Sequence, residues 1–180
     1  MPRSGAALSV LVAGLLLLAG CGGSEPPPLK AMPPDVPADL CATIPDAAKA
    51  GLVSSSSSDP SGNPTAACSL RSPDGTTGQV HAVVTWTMLG DDETADNVLA
   101  TQCRSIDRTE YKEQAGFQVN GADHTCAATS AAGGSDAATL AAVKDRQVVT
   151  VRLTSRPPGK TPALQQSVQL LEGVLSSVTG

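Results

Sequence analysis

"ATLAAVKDRQVVTVRLTS", Ala138 to Ser155, is the stretch that decides the fold class of this chain. Two apolar runs flank the pair Asp145-Arg146, and in the second run Val149, Val151 and Leu153 recur at a spacing of two. That spacing puts them on one face of a strand, so the stretch reads as an antiparallel hairpin with a buried side. Upstream, Ala66 to Arg71 and Gln79 to Leu89 read as two further strands, joined by the turn "SPDGTTG", Ser72 to Gly78. Val80, Ala82, Val84, Trp86 and Met88 share one face of the longer strand, and His81, Val83, Thr85 and Thr87 share the other. One side is therefore core, and the other is at most partly covered. "GFQVNGADHTCAATSAA", Gly116 to Ala132, reads as a strand, an Asn120-Gly121 turn and a second strand carrying Cys126.

Helical spacing punctuates these strands. Between Ala38 and Leu52 the apolar residues Leu40, Ile44, Ala47, Ala48 and Leu52 are interrupted by Pro45, which suits the first turn of a second short helix. "GDDETADNVLATQCRSI", Gly90 to Ile106, opens with Asp91, Asp92 and Glu93 where a helix dipole favours negative charge. Ala95, Val98, Leu99, Gln102, Cys103 and Ile106 fall on one stripe of that helix, which aims Cys103 at the core. At the C-terminal end Thr161 reads as a cap and Pro162 as the first helical position, ahead of Leu164, Val168, Leu171, Leu175 and Val178 on one face. "SSSSSDPSGNP", Ser54 to Pro64, reads as a polar surface loop. The order predicts the α+β class: a mostly antiparallel sheet with N-terminal, central and C-terminal helices packed on it.

The first forty residues concern address. One positive charge, Arg3, precedes an apolar stretch from Ala6 to Leu18 and the small residues Ala19 and Gly20, the layout of an export signal and short for a membrane span. Leu18-Ala19-Gly20-Cys21 looks like a lipobox, with Cys21 as the residue that takes the diacylglyceryl group and palmitate. Two or more acyl chains hold a protein stably at a membrane. Residues 21–37 then form a lipidated, proline-rich spacer with Pro26, Pro27, Pro28, Pro33, Pro34 and Pro37, and residues 38–180 form a single domain. The expected location is the extracytoplasmic face of the cell membrane, with the membrane reached through Cys21.

Cysteine number fits that address. Of five cysteines, assigning Cys21 to lipid leaves Cys41, Cys68, Cys103 and Cys126, an even set in an oxidising space. No two have the spacing of paired zinc ligands, so disulfides are expected rather than metal. Three connectivities are possible; sequential pairing, Cys41 with Cys68 and Cys103 with Cys126, is preferred because each bond clips a helix to a nearby strand. Each would contribute about 3 to 4 kcal/mol by restricting the unfolded chain.

Charge and aromatic content exclude other classes. Removing Arg3 with the signal leaves eleven bases against seventeen acids, a formal net charge of −6. That balance argues against nucleic acid and anionic head groups as partners. Trp86, Tyr111 and Phe117 are too few for a base-stacking platform. His81 and His124 are the only histidines, and Asp123-His124-Thr125 lacks a Gly-x-Ser-x-Gly elbow; neighbours on a strand point to opposite faces. Asp91, Asp92 and Glu93 lack calcium-loop spacing. No cofactor, metal or catalytic set is expected, and the chain is read as non-enzymatic.

Taken together, the lipobox, the proline-rich spacer, "DLCATIP" (Asp39 to Pro45), "ACSLRSP" (Ala67 to Pro73), "GFQVNGADHTC" (Gly116 to Cys126) and the closing amphipathic helix resemble small actinobacterial lipoproteins of the LpqN-like group. The resemblance implies a PsbP-type α/β sandwich, an antiparallel sheet with helices across it. It also implies a non-catalytic role, binding a partner protein or an envelope component. The alternative expectation is a carrier of a small apolar or lipid ligand, held between sheet and helix where Ala82, Ala141, Ala142 and Val143 leave room and working beside an envelope transporter.

Overall fold

The computed structural model describes residues 36–57, 65–76, 78–90, 94–106 and 112–178. The export segment, Cys21, the proline-rich spacer as far as residue 35, the Asp91–Glu93 cluster and Tyr111 lie outside the described residues. The elements are α1 (Leu40–Thr43), α2 (Asp46–Lys49), β1 (Val53–Ser57), β2 (Thr65–Arg71), β3 (Gln79–Met88), α3 (Ala95–Ile106), β4 (Lys112–Glu113), β5 (His124–Ser130), β6 (Asp136–Lys144), β7 (Gln147–Arg156) and α4 (Ala163–Val178). The strands form one seven-stranded sheet in the order β1-β2-β3-β7-β6-β5-β4, and every neighbouring pair is antiparallel. The protein is α+β. Its sheet consists of two meanders, β1 to β3 and β4 to β7, joined where β3 lies beside β7.

The β6–β7 hairpin turns at Asp145-Arg146, with Lys144 opposite Gln147. Asp145 takes a φ of 52°, the positive value that primed two-residue turns need at a central position and that Asp tolerates. Arg146 clasps the end of β3: its carbonyl accepts from the Leu89 amide at 2.8 Å, and its guanidinium donates to the Leu89 carbonyl at 2.7 Å.

The strand alternation separates two faces. Ala66, Cys68 and Leu70, Ala82, Val84 and Trp86, and Val149, Val151 and Leu153 are buried together beneath α1 and α4. The domain reaches as far as Val36, which is buried against the same core two residues ahead of the boundary expected from the prolines. The opposite face carries a smaller cluster of Leu89, Leu99, Ala141, Val143 and Val148 under α3. Trp86 is fully buried, and its Nε1 donates to Gln147 Oε1 at 3.3 Å.

Four sequence expectations need correction. Ser54 to Ser57 belong to an edge strand rather than a loop: β1 pairs with β2, with an irregularity between Ser54 and Ser56. All five of its residues are exposed, so main-chain bonds and a bond from Ser55 Oγ to the Ser69 carbonyl hold it, and no apolar alternation announces it. Phe117 to Val119 are not a strand; on its outer side β5 pairs with the two-residue β4, and the segment after β4 turns through Phe117 N to Gln114 O and Ala122 N to Val119 O bonds. The α4 helix begins at Ala163, one residue later than expected. Its first amide donates not to Thr161 but to Asp136 Oδ2 of β6, at 2.7 Å. The buried stripe of α4 runs through Ala163, Ser167, Leu170, Leu171, Val174 and Leu175, leaving Leu164 and Val168 half-buried at its margin.

Candidate functional site

The pairing of β3 with β7 builds a part of the sheet where side chains on the α3 side stand beside open space. Register places Val83 beside Arg152, Thr85 beside Thr150 and Thr87 beside Val148. Their strand neighbours Ala82, Val84, Val149 and Val151 are sealed under α4, so these six must face the other way. The α3 helix packs on β5, β6 and β7, and β3 lies past its flank. Val98 and Gln102 wall a groove whose floor is Val83, Thr85, Thr87, Val148, Thr150 and Arg152. Its volume is about 260 Å³. Along β7, the distance from Val148 to Arg152 is about 13 Å at ~3.3 Å per residue.

The floor is rich in hydroxyls and has a cation at one end. Thr85 and Thr150 hydrogen bond to each other across the strands, and Thr65 and Thr87 do the same at 3.1 Å. In each pair one hydroxyl donates and the other keeps its own proton for a further acceptor. Arg71 binds Asp74, Arg104 the Ala100 carbonyl, Arg146 the Leu89 carbonyl and Arg156 the Gly133 carbonyl. Among the described residues Arg152 has no hydrogen bond or ion pair, and its side chain is exposed. The groove lining thus holds one full positive charge and, among the described residues, no carboxylate.

The cysteines that the sequence singles out are joined as Cys41–Cys68 and Cys103–Cys126, with Cα separations of 5.0 and 5.9 Å. The first ties α1 to β2 inside the main core. The second fastens α3 over β5, which fixes the wall of the groove. Asp123 and His124 do not converge. Asp123 Oδ2 accepts from the Asp145 amide at 2.8 Å, and Oδ1 lies 3.8 Å from Lys144 Nζ, so the carboxylate supports the β6–β7 turn. His124 starts β5 opposite Val143, exposed. His81 is exposed between Arg71 and Thr154. Ala82, Ala141, Ala142 and Val143 are all buried, the first and third toward α4 and the others toward α3, and none lines the groove. Among the described residues no group of three or more His, Cys, Asp and Glu side chains is placed to hold a metal, and no helix is long and apolar enough to cross a membrane.

Thr150, Arg152, Val98 and Gln102 were not singled out as site residues by the sequence. The alternation of β7 carries the signal for the first two, but their meeting with β3 depends on a pairing across some sixty residues that periodicity does not reveal. No protein family, curated protein or solved structure was found to match the chain.

Proposed function

We propose that this is an extracytoplasmic lipoprotein, anchored to the membrane through Cys21, whose domain acts as a non-catalytic binding or accessory module of the cell envelope. The observation that carries this reading is the half-covered sheet. One face is closed by α1 and α4, while the other, among the described residues, keeps a groove open beside α3. A concave groove lined by apolar side chains and a few convergent polar groups is the usual form of a binding site. Two disulfides that use four of the five cysteines fit an oxidising compartment and leave Cys21, within Leu18-Ala19-Gly20-Cys21, for the lipid. The resemblance to LpqN-like lipoproteins, with their PsbP-type sandwich, supports the same reading through the antiparallel sheet with helices across it.

The test has two parts. In a lipoprotein-processing bacterial host fed an alkyne fatty acid, the wild-type chain is expected to take up label and sediment with membranes. The Cys21→Ala chain should remain unlabelled; equal labelling of both would remove the anchor. A photo-crosslinking residue at Thr87, in the groove, should give envelope adducts that the same residue at Gln165, on the exposed side of α4, does not. Indistinguishable adducts from the two positions would remove the groove as the binding surface.

A further inference from the structure

We infer that the groove beside α3 takes a small aliphatic carboxylate, with the carboxylate held by Arg152 and the hydrocarbon lying toward Val98 and Val148. This rests on the reading of the groove as the binding surface of the module. Size comes first. A volume of about 260 Å³ lies just below the range of drug-sized pockets, and a short chain or a single ring fits within it.

Polarity sets the ligand's direction. Arg152 lies at one end of the floor beside Val83, and Val98, Val148 and Thr87 line the rest. The Thr85–Thr150 pair between them offers a hydroxyl proton in addition to the guanidinium. Every one of these polar groups is a donor or has a donor to spare. The guanidinium is a planar fork that matches two carboxylate oxygens, and it has no partner among the described residues.

Charge then selects among anions. One guanidinium neutralises one negative charge, and the rest of the protein is net negative, −5 over the full chain. A phosphate monoester carries up to two charges and would leave one uncompensated in the field of a net negative protein. A carboxylate leaves none.

Hexanoate, hexanol and hexyl phosphate, titrated into the full chain in detergent and followed by the NMR shifts of groove residues, provide the test. Hexanoate is expected to saturate with shifts at Val83, Thr150 and Val98, and hexanol should bind at least tenfold more weakly. Arg152→Gln should lose that preference, and Arg152→Lys should keep only part of it. Val98→Trp, which fills the groove from α3, should abolish the shifts. Equal binding of hexanoate and hexanol, or tighter binding of hexyl phosphate, would overturn the carboxylate assignment while leaving the groove as a binding surface. Hexanoate shifts that survive Val98→Trp would overturn its place in the groove. Absence of any shift, with Thr87 crosslinks still formed, would overturn the small-ligand assignment and leave the module reading standing.

Discussion

The two faces of the sheet are built from the same strands yet are closed to different degrees. On the α4 side, Trp86, Leu40, Ile44, Leu70, Leu140, Leu153, Leu170, Leu171 and Leu175 are all fully buried or nearly so. On the α3 side, Leu89, Leu99, Ala141, Val143 and Val148 make a small patch, and β3 beyond it carries half-buried Val83, Thr85 and Thr87. Large apolar side chains facing a long helix make the first a core. Threonines and small residues facing a helix that reaches only part of the face make the second a lid with a gap.

The disulfides turn that difference into a measurement. Their sequence separations, 27 and 23, are nearly equal, so each restricts the unfolded chain by about 3.5 kcal/mol. Whatever else distinguishes their removal comes from the native state. Cys41 and Cys68 are buried at 4% and 0% exposure, whereas Cys103 and Cys126 are half-buried. Replacing the first pair by alanine should cost about 4 to 5 kcal/mol, because a void is left in packed surroundings. Replacing the second should cost about 3.5 kcal/mol or less. Urea unfolding of the two double variants checks this, and under a mild thiol reductant Cys103–Cys126 should open first. Equal losses would mean that the faces are equally packed, and the contrast would fail.

Single side chains sharpen the same contrast. Leu171→Ala, in the middle of the α4 stripe, should cost about 3 to 4 kcal/mol, and Leu99→Ala, under α3, about 2. The ratio matters more than either value. If Leu99 proved as costly as Leu171, α3 would be a core element rather than the wall of a groove.

A backbone contact provides a further test on the α4 side. A Cβ built at Gly173 would lie 2.4 Å from Ala48 Cβ, so α2 sits directly on the bare backbone of α4. In an exposed helix, alanine is better than glycine by about 1 kcal/mol. Here Gly173→Ala should instead destabilise by about 1 to 2 kcal/mol, because α2 has to move away. Adding Ala48→Gly should recover most of the loss, a coupling that a double-mutant cycle detects. Stabilisation by Gly173→Ala alone would show that α2 is loosely seated.

Legibility in the sequence followed side-chain patterning. The long strands β3 and β7, the turn at Asp145-Arg146 and the α+β class could be read because apolar and polar residues alternate there. The edge strand β1 could not, since Val53 to Ser57 bury nothing and pair through main-chain bonds and one bond from Ser55 Oγ to the Ser69 carbonyl. Neither could β4, two residues long at the other edge. At the groove, the partly covered face of β3 was legible from His81, Val83, Thr85 and Thr87, but its partner strand and its helical wall were not. Those depend on β3 meeting β7 and on the disulfide at Cys103, both contacts between residues distant in sequence.

The smallest expected effect concerns the start of α4, where local sequence and tertiary structure nominate different caps. Read from the sequence, with Pro162 as the first helical residue, Thr161 takes the position where a hydroxyl commonly accepts from the first turn. Instead Gln166 N donates to the carbonyl of Pro162, which has no side-chain acceptor, and Ala163 N reaches across to Asp136 on β6. Asp136→Ala should therefore cost about 1 kcal/mol, the usual value of a lost cap, and Thr161→Ala less than about 0.5 kcal/mol. Asp136→Asn keeps an oxygen acceptor but loses the charge that the helix dipole favours, so it should fall between them. Added salt should shrink the difference between Asp and Asn, because screening acts on the charge and not on the hydrogen bond. Thermal unfolding of the three variants at low and high salt separates these contributions. A larger loss from Thr161→Ala than from Asp136→Ala would return the cap to the local sequence. The reverse order would mean that α4, the helix that closes the packed face, is positioned by the sheet it covers.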